Sequence, residues 1–421
     1  MAGERGDMTF KSLHDFVAAH RLRCGPLGDH LAAFAALLAE KGYAMATRKQ
    51  QLRLMAALGN WLERRHASVS ALDENVAAQF LRQRRRHHRI TRSDRATLRH
   101  TIEMLRDMRV ICPAVVHATS SPVECMALAF SQHLLLERGL SASTRVNYVP
   151  VVRRLLSQCF DDGPIKLDEL CAADVMRFVA CSTRTSSPGR AKLIVTALRA
   201  FLLWLHRRGD TRTNLAGAVP RVADRRLVTL PKSIAPEQVE RLLRHCDRGT
   251  VVGRRDYAIL LVLARLGLRA GEVVAMELDD LDWQFGEIIV RGKGGRRDCL
   301  PLPRDVGAAV ADYLRRGRPS CSTRRVFVRM RAPRRGFANS IAICTIVERA
   351  LTRAGLDPPR KGAHLLRHSL ACTMLRRGAS LAEIGDVLRH RSLDTTAIYA
   401  KVDVAALRAI APAWPRSAGE P

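Results

Sequence analysis

His364 and Arg367 stand three residues apart in His364-Leu365-Leu366-Arg367-His368-Ser369, a spacing that sets both polar heads on one face of a helix. Leu366, Leu370 and Met374 supply the adjoining apolar stripe that anchors such a helix. Arg269 lies upstream in Leu266-Gly267-Leu268-Arg269-Ala270-Gly271-Glu272, and Leu388-Arg389-His390 and Ala397-Ile398-Tyr399 follow downstream. Cutting a phosphodiester without a metal gathers negative charge on the non-bridging oxygens, and two fixed guanidinium forks stabilise it better than mobile lysines. Arg269 and Arg367 are the candidates. A phenol, with a pKa of about 10, is a poor nucleophile at neutral pH, so Tyr399 needs cationic neighbours and a base. His364 is the candidate base, and His390 is the candidate hydrogen-bond partner of the phosphate. Lys293 sits in Gly292-Lys293-Gly294-Gly295, where glycines let the backbone approach a ligand closely. A desolvated lysine can lower its pKa towards neutrality and an arginine cannot, so Lys293 is a better proton donor than Arg291, Arg296 or Arg297.

Each feature has an ordinary alternative. Gly-Leu-Arg occurs at many helix boundaries, a turn lysine is commonly just solvated, and a tyrosine near a C-terminus is commonly a half-buried packing group. Their joint order and local context resemble the tyrosine recombinase (phage integrase) family over roughly residues 120–405. The resemblance implies a site-specific DNA recombinase, with Glu272 orienting Arg269 and Lys293 protonating the leaving 5′-oxygen. Attack by Tyr399 would leave a 3′-phosphotyrosine and a free 5′-hydroxyl. The linkage keeps the bond energy, so resealing needs no ATP, and the chain has no G-x-x-x-x-G-K-[ST] motif. Neither a cofactor nor a metal is expected. Two positions depart from the family pattern. Arg389 stands where Leu-Gly-His is usual, so a left-handed cap that glycine adopts freely must be strained, replaced or absent. Gly271 stands where a small hydroxyl residue is common, which loosens the helix carrying Glu272 by up to about 1 kcal/mol. The rival readings are a DNA-binding protein of this fold that no longer cuts, hinted at by Arg389, and a type IB topoisomerase-like activity. An RNA-binding role has the least support, since no aromatic-rich sheet motif for base stacking is present.

The elements that must position these groups are also legible. Gly267 ends one helix and Arg269 leads the next. Ala235-Pro236-Glu237 reads as a helix start. Between Gly286 and Pro303, Glu287-Ile288-Ile289-Val290 and Cys299-Leu300-Pro301-Leu302 flank the glycine-rich turn as a β-hairpin, with Val326-Phe327-Val328 as a possible third strand. Ser380-Leu381-Ala382-Glu383 is a capping box for a helix whose buried side is Ile384, Val387 and Leu388. Asp394-Thr395-Thr396 opens a short helix bearing Tyr399.

With 421 residues the chain should divide into two or three domains. At 47% hydrophobic but 5% aromatic residues, the cores must be mainly Leu, Val and Ala, a mix that favours helices. An internal echo runs through the first half. Leu37-Leu38-Ala39-Glu40-Lys41-Gly42 with Thr47-Arg48 recurs as Leu134-Leu135-Leu136-Glu137-Arg138-Gly139 with Thr144-Arg145, and Leu72 and Phe80 are matched by Leu170 and Phe178. Duplication and shared helix-ending chemistry both account for it. The fold expected is mainly α: a helical DNA-binding module over 1–115, for which duplication of the next domain is one reading; a SAM-like, core-binding helical domain over 120–216; a linker over 217–232 with two prolines; and a mostly helical catalytic domain over 233–421 with a small antiparallel sheet. The tail from Lys401 to Pro421, with Ala405, Leu407 and Ile410, could reach a neighbouring subunit.

A formal charge of +30, from 70 basic against 40 acidic residues, calls for a polyanionic partner. Double-stranded DNA leads. A membrane is disfavoured because the longest apolar run, Ala258 to Ala264, is far short of a span of roughly 20 residues. From Arg82 to His100, eight arginines face one acid; Arg82, Arg84, Arg85 and Arg86 are candidate phosphate contacts, although a solvated face gives the same pattern. Thr144, Arg145 and Asn147 open a helix where family members commonly touch DNA, and free N–H groups there suit phosphate oxygens. Eleven cysteines without a C-x-x-C pair indicate neither a zinc site nor a disulfide framework, and with no signal peptide visible the cytoplasm, beside the nucleoid, is the expected compartment. The resemblance further implies homo-tetramers assembled on DNA, with sister recombinases as potential partners. The extra N-terminal module points to integration, excision or transposition of a mobile element.

Overall fold

The computed structural model describes residues 24–113, 121–160, 163–222, 232–292, 295–390 and 392–402. Lys293, most of the linker (223–231) and the tail from 403 lie outside the described residues. The chain forms two compact units, one from residues 115–229 and one that joins residues 1–114 to 230–421.

Among the described residues, four α-helices build the first module: α1 (Leu31–Glu40), α2 (Met45–Glu63), α3 (Glu74–Arg84) and α4 (Arg92–Asp107). Local chemistry sets their starts. The Asp73 side chain accepts the N–H of Val76 at 2.7 Å, and Thr91 and Asp94 form a reciprocal capping box. Phe34, Leu52, Met55, Leu58 and Leu62 are fully buried between α1 and α2, as their helical spacing requires. Four more helices build the second module: α5 (Pro122–Leu136), α6 (Ala142–Phe160), α7 (Ala172–Thr183) and α8 (Pro188–Arg208). Both α2 and α6 have 19 residues, and Phe80 and Phe178 occupy equivalent buried places on α3 and α7.

The remaining elements are α9 (Pro236–Arg244), α10 (Val251–Leu266), α11 (Ala270–Ala275), β1 (Leu281–Asp282), β2 (Glu287–Arg291), β3 (Arg297–Pro301), α12 (Arg304–Arg316), α13 (Ile341–Arg353), α14 (Ala363–Arg376), α15 (Leu381–Val387) and α16 (Leu393–Thr396), which runs into a 3-10 turn over Ala397–Val402. Helix α10 is the axis of this part: Ala258 to Leu263 are all buried, and α9, α12, α13 and α14 pack around it. An apolar helix of this kind is stable only inside such a ring. The sheet is antiparallel in the order β1-β2-β3, with Leu281 opposite Ile288 and Ile288 opposite Leu300. Ile288 and Val290 point into the core, and Glu287 and Arg291 alternate outward.

Two expectations are corrected here. Val326-Phe327-Val328 is not a strand; these residues are buried, but their region pairs only through isolated bridges, Glu277 with Arg325 and Val328 with Gly336. The third strand is Leu281–Asp282, too short and too acidic to show periodicity. Val387 is 39% exposed, so α15 buries Ile384, Gly385 and, at its cap, Leu388.

The first module meets the C-terminal part of the chain directly. The Lys41 carbonyl accepts the N–H of Arg334 at 2.9 Å, and Gly42, at φ +76, lies so close to the Arg334 side chain that a Cβ there would overlap it.

Candidate active site

Gly267 caps α10 in the left-handed conformation, at φ +58, and turns the chain so that Arg269 becomes the N-cap of α11. Glu272, one turn in and 7% exposed, accepts from the Arg269 backbone N–H at 2.8 Å and from its Nη1 at 2.7 Å. The half-exposed guanidinium is therefore aimed by the carboxylate of its own helix start. Burial raises the Glu272 pKa, but the Arg269 hydrogen bonds and the charges of Arg389 and Arg269 outweigh it and hold the carboxyl below its usual range.

Arg367 comes from the buried face of α14. Its Nη1 donates to the Gly267 carbonyl and its Nη2 to the Leu388 carbonyl, tying the end of α10 to the end of α15. Burial, with Arg269 and Arg389 nearby, lowers its pKa to about 10, which still leaves it charged at neutral pH. His364 lies one turn away on the same helix, and burial together with Arg367 and Arg269 holds its imidazole below the usual value.

Gly267 is costly to replace, because a Cβ would be strained at φ +58 and would come within 2.7 Å of Leu388 Cδ2 and 3.0 Å of Leu370 Cδ2. Gly271 is the opposite case, exposed with nothing near a new Cβ. Gly267→Ala is expected to cost about 2 kcal/mol or more, from left-handed strain and overlap. Gly271→Ala is expected to gain roughly 0.5–1 kcal/mol by stiffening α11. Urea denaturation of the two variants checks both signs.

Tyr399, in the 3-10 turn after α16, is 1% exposed and packs among Ala371, Cys372, Ile384 and Leu388. Its hydroxyl lies 2.8 Å from Nδ1 of His368, with the two rings edge to face. Burial pushes the phenol up to about 12, against the lowering effect of Arg367. The histidine on the phenol is thus His368, not His364, the candidate base from spacing. On a helix, His364 and His368 are one turn apart, and only packing selects between them. The signal for His368 was present in the His364-to-Ser369 stretch but carried no role.

His390 Nδ1 lies 2.7 Å from Thr396 Oγ1, a hydroxyl fully buried on α16. Burial and the surrounding cations, Arg367 first, push His390 down to about 4, and burial with His364 and Arg367 does the same to His368. Both rings are neutral in the fold, whereas the unfolded chain takes up protons near pH 6.5. Stability contributed by neutral imidazoles is complete above that value and is lost as pH falls through the folded pKa. The melting temperature is therefore expected to drop between pH 6.5 and about 4, and to drop less steeply in His368→Phe. A level profile for the parent protein across this window would contradict the neutral-imidazole assignment.

Arg389 keeps the left-handed backbone, at φ +55, in spite of its side chain, and its guanidinium turns inward to Glu272 Oε2 at 2.9 Å. It also borders a cleft of about 400 Å³ between β3 and α15, lined by Arg296, Arg297, Asp298 and His390 among others. Arg269, Glu272, His364, Arg367, His390 and Tyr399 are therefore brought together, each interacting with another member of the group. Lys293 belongs to the β2–β3 connection and lies outside the described residues. Among the described residues, no cluster of His, Cys, Asp and Glu could hold a metal, and no helix is long and apolar enough to cross a membrane.

The candidate nucleic-acid contacts lie elsewhere. Arg82 and Arg85, with His87, His88, Arg89 and Arg95, line a basic cup of about 890 Å³ between α3 and α4; Arg84 and Arg86 are not part of its lining. Thr144, Arg145 and Asn147 stand in the first turns of α6, where the Asn147 amide donates to the Ser143 carbonyl at 2.7 Å and Arg145 Nε is buried without a partner.

Residues 232–405 match the phage integrase family, and residues 128–209 match the phage integrase N-terminal SAM-like domain. The chain is 46% identical to y4rA of Sinorhizobium fredii, named an integrase/recombinase, over 94% of this chain and 96% of that protein. It is 33% identical to the tyrosine recombinase XerD of Mycobacterium tuberculosis, over 68% of this chain and 96% of XerD. The structure of the site-specific recombinase XerH bound to palindromic difH substrate shares the fold, with a TM-score of 0.55 and 19% identity over 72% of this chain and 99% of that one.

Proposed function

This chain belongs to the phage integrase family and is a tyrosine site-specific recombinase, and from that premise we propose that it cuts and rejoins duplex DNA through a covalent 3′-phosphotyrosine on Tyr399. The observation that carries this reading is the convergence of two guanidinium groups, three imidazoles and the phenol around Arg367. Arg269 and Arg367 take the non-bridging oxygens and His390 adds a hydrogen bond to the phosphate. The phenolic oxygen forms the new bond to phosphorus as the bond to the 5′-oxygen breaks. Its proton goes to an imidazole, for which His364 and His368, one turn apart on α14, are the candidates. Lys293 gives a proton to the leaving oxygen. Reversal by a 5′-hydroxyl from another strand completes the exchange.

Tyr399 is docked in an apolar pocket and bonded to His368, so cleavage begins with its withdrawal from that pocket. The short segment of α16 and the 3-10 turn, held by the Thr396–His390 bond, is what must move. Contact with phosphate at His390 competes for that bond.

The charge of +30 supports DNA as the partner, with the cup at Arg82 and Arg85 and the start of α6 as further places of backbone contact. XerH, whose fold this chain shares, was solved bound to palindromic difH substrate, which agrees with this reading. The matching helix lengths and buried phenylalanines of the first two modules support duplication of a core-binding unit. A mobile-element role, with four subunits assembled on the recombination site, completes the reading. The test is covalent trapping on a nicked duplex containing the DNA that the protein protects beside its own gene. DNA binding without an adduct would return the chain to the class of non-cutting binders. Plasmid relaxation without junction products would favour a topoisomerase.

A further inference from the structure

We propose that Arg389 is a positioning residue, which fixes Arg269 for phosphate binding by closing a ring of hydrogen bonds through Glu272. The inference rests on the cleavage reading above. Arg269 Nη1 donates to Glu272 Oε1 at 2.7 Å, Arg389 Nη2 donates to Glu272 Oε2 at 2.9 Å, and Arg269 Nη2 reaches the Arg389 carbonyl at 3.4 Å. The carbonyl of Arg389 thus meets Arg269 and its guanidinium meets Glu272, the two members of one ion pair. They face it together because the backbone is left-handed at φ +55, a conformation that costs an L residue strain and persists only where its surroundings enforce it. A side chain 4% exposed cannot take a DNA phosphate itself. Its Nε has no hydrogen-bond partner and lies 4.0 Å from Asp298 Oδ2 on β3. Arg389 therefore also couples the Arg269 corner to the hairpin whose connection includes Lys293.

Two explanations compete: a guanidinium that merely fills space, and one that sets the aim of Arg269. Glycine at 389 separates them, because it adopts the backbone without strain and removes the guanidinium. The charged groups facing Glu272 are Arg269 on its own helix start, Arg389 from the α15–α16 connection and Arg367 from α14, with Asp298 on β3 beyond Arg389. Losing one cation from this set raises the Glu272 pKa, so the acid limb of the cleavage profile moves to higher pH.

The experiment uses the full chain and the nicked duplex described above, with single-turnover adduct formation at saturating DNA, the Kd for the same duplex, the Tm and the pH profile as readouts. Arg389→Gly is expected to keep the parent Kd and a Tm no lower than the parent's, to form adduct about 100-fold more slowly, and to show the shifted acid limb. Arg389→Lys, which restores a cation but not the fork, is expected to recover part of the rate. Parent-like cleavage and pH profile in Arg389→Gly would overturn the proposal. So would a loss matched by a lower Tm, with the acid limb unmoved and no recovery in Arg389→Lys. A parent protein whose adduct survives Tyr399→Phe would instead overturn the cleavage reading, and this inference with it.

Discussion

Tyr399→Phe is expected to bind its DNA normally and form no covalent adduct. The substitution removes one oxygen and leaves the ring packed against Ala371, Cys372, Ile384 and Leu388, so the pocket keeps its shape. The hydrogen bond lost to His368 is worth about 1 kcal/mol net, too little to unfold a domain of this size. Loss of a nucleophile with no substitute lowers turnover on the order of 10⁶-fold, which puts the adduct below detection on a denaturing gel. Retardation of the intact duplex should be unchanged. An adduct formed at the parent rate would mean that another residue attacks, and the assignment of Tyr399 would fall.

Arg367→Lys should be nearly as damaging, for a different reason. The guanidinium is 4% exposed and donates at once to the Gly267 and Leu388 carbonyls, so it is a structural tie as well as a charge. An ammonium cannot span both, and a buried carbonyl left unpaired costs about 1–3 kcal/mol. It also presents a point charge where a planar fork would meet two phosphate oxygens. Together these predict a cleavage rate lower by roughly 10²- to 10³-fold, with a lower Tm. Arg269→Lys is the informative contrast: its side chain is 39% exposed and reaches a single carbonyl, that of Arg389 at 3.4 Å, so the rate should fall while the Tm stays near that of the parent. Single-turnover cleavage and thermal melting of the two variants measure this split. An Arg367→Lys protein that cleaves like the parent would remove Arg367 from phosphate binding.

Much of the architecture was written in local patterns. The left-handed glycine after Leu266, the Ser380–Glu383 capping box and the hairpin between Gly286 and Pro303 all appear where residue chemistry within a few positions demands them. The expectation for Val326 to Val328 failed because three apolar residues say that a segment is buried, not what it pairs with. Val387 shows the same limit on a shorter scale, since a helix as short as α15 can turn one apolar residue outward once its neighbours fill the pocket.

The candidate site divides along the same line. Residue types and their order pointed to Arg269, His364, Arg367, His390 and Tyr399 as candidates, and the family resemblance they carry added Glu272, because phosphoryl transfer to a phenol restricts which side chains can serve. Folding settled which polar heads meet. His368 reaches Tyr399 across a separation of 31 residues, and Arg389 reaches Glu272 across 117. Helical period reports which face of a segment is apolar, a property of neighbours along the chain. The partner of a buried hydroxyl or guanidinium depends on how helices α10, α11, α14 and α15 converge, and that convergence is set by the packing of the whole core.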